Sequence, residues 1–106
     1  MCSNGFHEVQ YKKLRACGLY DYFDTIVLSE DAGYNKPAPE FFDYAFRQTK
    51  APKATTLMVG DNFNTDMLGA KRAGIDTAFF NRWPDQKATE PVTYEVKELA
   101  ELMEVL

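Results

Sequence analysis

The sequence predicts an α/β fold built on a parallel sheet. Three observations point there. Short apolar runs rich in β-branched or aromatic residues recur at residues 25–28, 55–59 and 76–80. Stretches long enough for helices of ten or more residues separate them, which is the signature of βαβ units. Glycine and proline stand at the joints, as at Gly18, Gly33, Pro37, Pro39, Pro52 and Gly74.

Each element follows in order. Residues 1–5 read as the end of an element followed by a turn. Residues 6 to about 17 read as an amphipathic helix, with Phe6, Val9, Tyr11, Leu14 and Cys17 at mixed spacings of two and three. Gly18 is placed to stop it. Thr25-Ile26-Val27-Leu28 reads as a buried strand, and residues 29–35 as a loop. Pro37 and Pro39 punctuate a turn, and a helix starts near Pro39, carrying Phe41, Phe42, Ala45 and Phe46 and ending before Pro52. A second strand spans 55–59. A helix follows from about Asn64, read as its N-cap, to Gly74. A third strand spans 76–80. Residues 81–91 are polar and read as a loop, 92–96 as a short extended piece, and 97 to the end as a helix.

Composition bounds the function. With 106 residues the chain suits one domain, residues 1–106. The hydrophobic fraction is 45% and the charged fraction 26%, ordinary for a globular protein. Net charge is -4 with no basic stripe, which gives no support for binding a nucleic-acid polymer. No apolar run approaches the length of a membrane span, and the first residues lack the pattern of a secretory signal. Two cysteines, Cys2 and Cys17, do not make a disulfide framework, and their number is ordinary in the cytosol, so a cytoplasmic location is expected. His7 is the only histidine, so cysteine and histidine are too few for a zinc site, and His7 reads as a surface residue.

The chemistry concentrates in three stretches. In Leu57-Met58-Val59-Gly60-Asp61-Asn62-Phe63-Asn64-Thr65-Asp66, an apolar strand stops at a glycine and two carboxylates follow. Ligands of a parallel sheet bind at the carboxyl ends of its strands. Gly60 would let the backbone turn, Asp61 would point into the crevice, and Asp66 would sit in the first turn of a helix, where the dipole favours an anion. Two hard carboxylates facing one point suit magnesium. Acidic residues are common at helix starts anyway, so this pair alone does not decide between a metal site and an ordinary turn. In Met1-Cys2-Ser3-Asn4-Gly5, a hydroxyl and free amides in a glycine turn before a helix would cradle an anion, although Ser3 or Asn4 could equally be a simple cap. In Asn35-Lys36-Pro37-Ala38-Pro39-Glu40, a lysine restrained by two prolines could neutralise a phosphate or be an ordinary surface lysine.

Taken together and in this order, Ser3, Lys36, Gly60-Asp61 and Asp66 resemble the second, third and fourth motifs of the haloacid dehalogenase (HAD) superfamily of aspartate-nucleophile hydrolases. The context matches as well: Ser-Asn-Gly-Phe before a helix, Lys-Pro-x-Pro-Glu opening one, and Gly-Asp-x4-Asp after a strand. Within that superfamily, Ser-Asn-Gly-Phe and Gly-Ile-Asp-Thr…Phe-Asn look most like the pyrimidine nucleotidase branch. The resemblance implies a Rossmann-like parallel sheet and a phosphomonoester hydrolase that forms an aspartyl phosphate on small phosphorylated substrates such as nucleoside monophosphates. It implies magnesium held by Asp61 and Asp66, and phosphate held by Ser3, Asn4, Gly5 and Lys36, with Ser3 and Lys36 serving catalysis. Such chemistry rests on positioning and charge neutralisation.

One motif has no match. The superfamily's nucleophile lies in Asp-x-Asp-x-Thr or Val after an apolar strand. Asp21-Tyr22-Phe23-Asp24-Thr25 has the wrong spacing and precedes a strand. The strand of that first motif, central in the family, and the cap that reads the substrate have no counterpart either. The chain is therefore expected to be the carboxyl-terminal part of a HAD core, with its strands on two sides of a gap and edges open to self-association. Three alternatives stand beside the phosphatase reading: a non-catalytic phosphate- and magnesium-binding domain, carbon–halogen hydrolysis, and an unrelated flavodoxin-like domain. The last explains the alternation of elements but not the three motifs.

Overall fold

The computed structural model describes residues 1–83 and 87–104. Helices and parallel strands alternate, as the α/β reading predicts, and the chain divides into two compact units, Met1–Ala51 and Pro52–Leu106.

The first unit holds a two-stranded sheet. Strand β1 (Cys2–Ser3) lies parallel to β2 (Val27–Leu28), with Cys2 opposite Val27 and Ser3 opposite Leu28. Helix α1 (His7–Ala16) joins them in sequence. Phe6 is not inside this helix. It stands at the N-cap in extended conformation and is 72% exposed, and Val9 is exposed too, so only Leu14 of the predicted apolar stripe is buried. The predicted loop at 29–35 begins instead with a short helix, α2 (Ser29–Ala32). Gly33 closes it at φ 79°, a left-handed turn that glycine adopts without steric penalty, and its N–H donates to the Ser29 carbonyl at 2.9 Å. Helix α3 (Pro39–Thr49) starts at the predicted proline and buries Phe41, Phe42 and Ala45. Val27, Leu28 and Phe41 are among the most deeply buried side chains.

The second unit holds a three-stranded parallel sheet of β3 (Leu57–Gly60), β4 (Asp76–Phe80) and β5 (Tyr94–Val96), in the order β3-β4-β5. The second predicted strand starts later than expected. The Pro52 carbonyl accepts the Thr55 N–H and the Thr56 hydroxyl, which winds Lys53–Thr55 into a 3-10 turn and leaves only Leu57 onward to pair. In β4, Phe79 packs with Phe63 and Met67, while Ala78 packs with Val96 and Leu102. These are the opposite faces that a strand's two-residue period requires. Fully burying one such phenylalanine is worth roughly 1.5–3 kcal/mol.

Two helix predictions change. The helix after β3 is capped by Asn62 rather than Asn64: the Asn62 side-chain oxygen accepts the Thr65 N–H at 3.1 Å. It opens as a π-helical turn (Phe63–Met67) before regular α4 (Leu68–Arg72). The last element is not an α-helix from 97. It is a 3-10 helix (Leu99–Glu104), opened by the Glu101 carboxylate, which accepts the Lys97 and Glu98 amides at 3.0 Å each. Residues 84–86 of the predicted loop and 105–106 of the predicted helix lie outside the described residues.

The strands thus fall into two separate sheets, with β1 and β3 each at an edge. Among the described residues no helix is long and apolar enough to cross a membrane.

Candidate active site

The site residues of the first unit gather around the turn after β1. Ser3 ends that strand, and its hydroxyl oxygen accepts a hydrogen bond from the Gln10 amide of α1 at 2.8 Å. Asn4 and the backbone of Lys36 hold each other. The Asn4 side-chain amide donates to the Lys36 carbonyl at 3.2 Å, and the Lys36 N–H donates to the Asn4 side-chain oxygen at 2.7 Å. The Lys36 ammonium donates to the Cys2 carbonyl at 3.3 Å. Both ends of this half-buried lysine are therefore fastened to the segment that carries Ser3, across more than thirty residues of sequence. The Lys36–Pro37 peptide is cis.

The expectation of free amides in this turn needs correcting at Gly5. Its N–H donates to the Ser29 hydroxyl at 2.8 Å, and that hydroxyl donates back to the Gly5 carbonyl at 3.3 Å. The next amide but one, of His7, donates to the Glu30 carboxylate. A hydroxyl and a carboxylate at the start of α2 thus take up the Gly5 amide, which the sequence pattern offers to an anion, and the His7 amide beyond the turn. Asn4 and Gly5 shape the turn, while Ser3 and Lys36 bring the hydroxyl and the charge. His7 is 55% exposed, stacks on Tyr11 and lies 3.3 Å from Asp31, in keeping with a surface residue. An open cavity of about 550 Å³ borders the turn, lined in part by Asn4, Gly5, Phe6, Tyr34 and Asn35.

In the second unit Asp61 and Asp66 both lie at the carboxyl end of β3. Asp66 is 5% exposed. One of its carboxylate oxygens accepts the Asn62 N–H at 3.3 Å, and the other accepts the Thr65 hydroxyl at 3.5 Å. One part of the sequence argument changes here. Gly60 does not sit at the positive φ that a sharp glycine turn would require. It belongs to the strand, and a Cβ placed there would lie 2.4 Å from an Asp66 oxygen and 2.6 Å from its Cβ and Cγ. Gly60 is glycine because the Asp66 side chain needs its space. Asp66 does lie in the first turn of the helix that Asn62 caps, though that turn is π-helical and regular α4 begins two positions later. Local amide and hydroxyl donors add to the helix start in holding its carboxylate.

Asp61 is about half exposed, and its carboxylate lies 3.8 Å from the Arg82 guanidinium. Arg82 also lies over the Trp83 ring at 4.6 Å. Sequence reasoning missed Arg82, Gln10 and Ser29. Each acts through a contact between segments, and none carries a periodic or motif signal of its own. The segment Asp21–Thr25 lies in a 3-10 turn and the residues just before β2, at the amino end of that strand, where the sequence places it.

The donor set fits magnesium. Asp61 and Asp66 supply hard oxygens from one strand end, and no group of three or more histidine, cysteine or acidic residues gathers among the described residues. Magnesium keeps several waters and commonly takes only one or two protein carboxylates.

The chain belongs to the haloacid dehalogenase-like hydrolase family, whose sequence model matches residues 1–74. It is 41% identical over 108 residues to YfnB of Bacillus subtilis (strain 168), named as a HAD-hydrolase, covering 98% of this chain and 45% of that protein. It is 40% identical over 106 residues to the pyrimidine 5'-nucleotidase YjjG of Escherichia coli (strain K12), covering 98% of this chain and 47% of that one. The crystal structure of YfnB bound to magnesium superposes with a TM-score of 0.85 at 40% identity, over 96% of this chain and 44% of that one. The chain spans about half the length of the curated relatives it matches.

Proposed function

We propose that this chain supplies the phosphate- and magnesium-binding part of a phosphomonoester hydrolase acting on small phosphorylated substrates, with nucleoside monophosphates as the first class to test. The observation that carries the reading is the buried Asp66 carboxylate at the end of β3, with its space kept open by Gly60. Evolution of a phosphate-metal site explains that close approach better than a helix-start carboxylate does, because a helix-start carboxylate needs neither burial nor a glycine beside it. The kinship with the nucleotidase YjjG and the magnesium-bound YfnB points the same way.

Asp61 and Asp66 would hold the metal, which when bound neutralises charge on the phosphoryl group. Lys36 would pair with phosphate oxygens as a point charge, and Ser3 would donate its hydroxyl proton to one of them. Asn4 would fix Lys36 through the reciprocal bonds between them, and Gly5 would shape the turn. The phosphoryl group would pass from the leaving oxygen to an aspartate carboxylate, and water would then release it. The sequence contains no match to that nucleophile's motif, so this chain by itself is expected to bind and not to turn over. Edge strands such as β1 and β3 are places where another strand, including that of a second copy, could add.

The test is a magnesium titration followed by backbone amide NMR, run beside an aryl phosphate hydrolysis assay. Saturable shifts centred on residues 60–66, lost in Asp66→Asn and weakened in Asp61→Asn, are expected, with no hydrolysis. Absence of any magnesium response from the folded chain would sink the metal assignment. Magnesium-dependent hydrolysis by this chain would show that a nucleophile exists within it.

A further inference from the structure

Gln10 stands outside every motif discussed so far, yet its side-chain amide reaches Ser3. The N–H of Gln10 donates to the Ser3 hydroxyl oxygen at 2.8 Å. A serine hydroxyl has one proton to give and two lone pairs to receive with. With one lone pair directed at the amide N–H, rotation about the Cβ–Oγ bond is restricted and the hydroxyl proton points away from Gln10. A chain of donors then runs from Gln10 through Ser3, and each bond in such a chain polarises the next.

A second observation concerns the same side chain. Gly5 does not sit at positive φ, and its N–H and carbonyl are both held by Ser29. A Cβ on Gly5 would instead meet Gln10, 2.6 Å from the amide nitrogen and 2.9 Å from Cδ and Cγ. Glycine at position 5 leaves the passage through which Gln10 reaches Ser3.

We propose that Gln10 is a positioning residue that orients the Ser3 hydroxyl, turning its proton away from α1 and toward a phosphate oxygen, and that Gly5 is glycine to admit it. The proposal rests on the reading that Ser3 contacts phosphate. Gln10 itself touches no substrate. It acts by occupying one lone pair of the hydroxyl, which limits the directions its proton can take.

The test is the affinity of this chain for inorganic phosphate, at saturating magnesium, by NMR titration. Gln10→Met keeps the length of the side chain and removes the donor. It is expected to weaken phosphate binding by about 3- to 10-fold, the worth of one net hydrogen bond. Gly5→Ala pushes the flexible end of Gln10 aside and should weaken binding by a similar factor, with no further loss when combined with Gln10→Met. In a Ser3→Ala background Gln10→Met should have no effect, while Ser3→Thr, which keeps the hydroxyl, should keep the dependence on Gln10. Unchanged affinity in Gln10→Met would overturn the proposal while leaving phosphate binding by Ser3 intact. A loss that persists in Ser3→Ala would equally overturn it, since Gln10 would then act on the turn as a whole. If the wild-type chain shows no saturable phosphate binding, the underlying reading fails and this inference falls with it.

Discussion

The turn after β1 is held mainly from later segments, whereas the hydrogen bonds of the turn after β3 come mainly from its own next few residues, with Arg82 reaching Asp61 from farther away. Ser3, Asn4 and Gly5 are fixed by Gln10, Lys36 and Ser29, and two of those partners lie on later segments of the chain. Asp61 and Asp66 lie in a stretch whose main supports are Gly60, Asn62 and Thr65. The first arrangement depends on three segments meeting. The second depends on a local winding laid over an apolar cluster of Phe63, Met67 and Phe79. A long-range polar clamp can be adjusted one hydrogen bond at a time, while a buried carboxylate pressed against a strand cannot.

The largest effect is expected where the local turn meets its foundation. Phe79 is fully buried, with its ring centroid 5.5 Å from that of Phe63. Phe79→Ala should cost about 3–5 kcal/mol in urea unfolding and should also abolish the magnesium response of residues 60–66. A smaller stability loss with magnesium binding retained would show that the turn does not need its apolar floor.

Next comes a pair of identical substitutions with different outcomes. Gly60→Ala sets a methyl against the Cβ and Cγ of Asp66, atoms with no room to retreat, and should cost about 1–3 kcal/mol. Gly5→Ala meets the flexible side chain of Gln10, from Cγ outward, and should change stability by less than about 0.5 kcal/mol. Equal losses at the two glycines would erase the distinction drawn between the turns.

The cap comes third. Asn62→Ala should cost about 1 kcal/mol, since the Thr65 N–H loses its acceptor, whereas Asn64→Ala, at an exposed position, should stay within roughly 0.5 kcal/mol. Thermal unfolding of both variants separates them, and the reverse order would restore Asn64 as the cap. The smallest effect belongs to Arg82→Ala. Its ion pair with Asp61 joins two groups that are each nearly half exposed, and such pairs contribute about 0–1 kcal/mol. If Arg82→Ala alters magnesium affinity more than it alters stability, Arg82 tunes the charge at Asp61 rather than the fold.

The sequence by itself determined the α/β class, the positions of the main strands and helices, and three motif stretches. Apolar runs, prolines and glycines act over a few neighbouring residues, and their spacing can be read directly. It also placed Asp61 and Asp66 at a strand end, because Gly-Asp after an apolar run is a local pattern. It misplaced the cap at Asn64, because two asparagines two residues apart carry the same propensity and only the backbone angles decide which one turns its oxygen onto an amide. It read residues 29–35 as loop, because a four-residue helix has too few positions to show a period.

Only the tertiary structure decided what the glycines are for and which donors remain available. Gly60 makes room for Asp66 and Gly5 makes room for Gln10, and neither reason is visible until side chains occupy space. The sequence pattern offers the Gly5 amide to an anion, whereas in the fold it donates to Ser29, twenty-four residues away. Hydrogen bonds and steric exclusion are contacts between atoms that the fold brings together, so the sequence can name the groups and the folded chain must pair them.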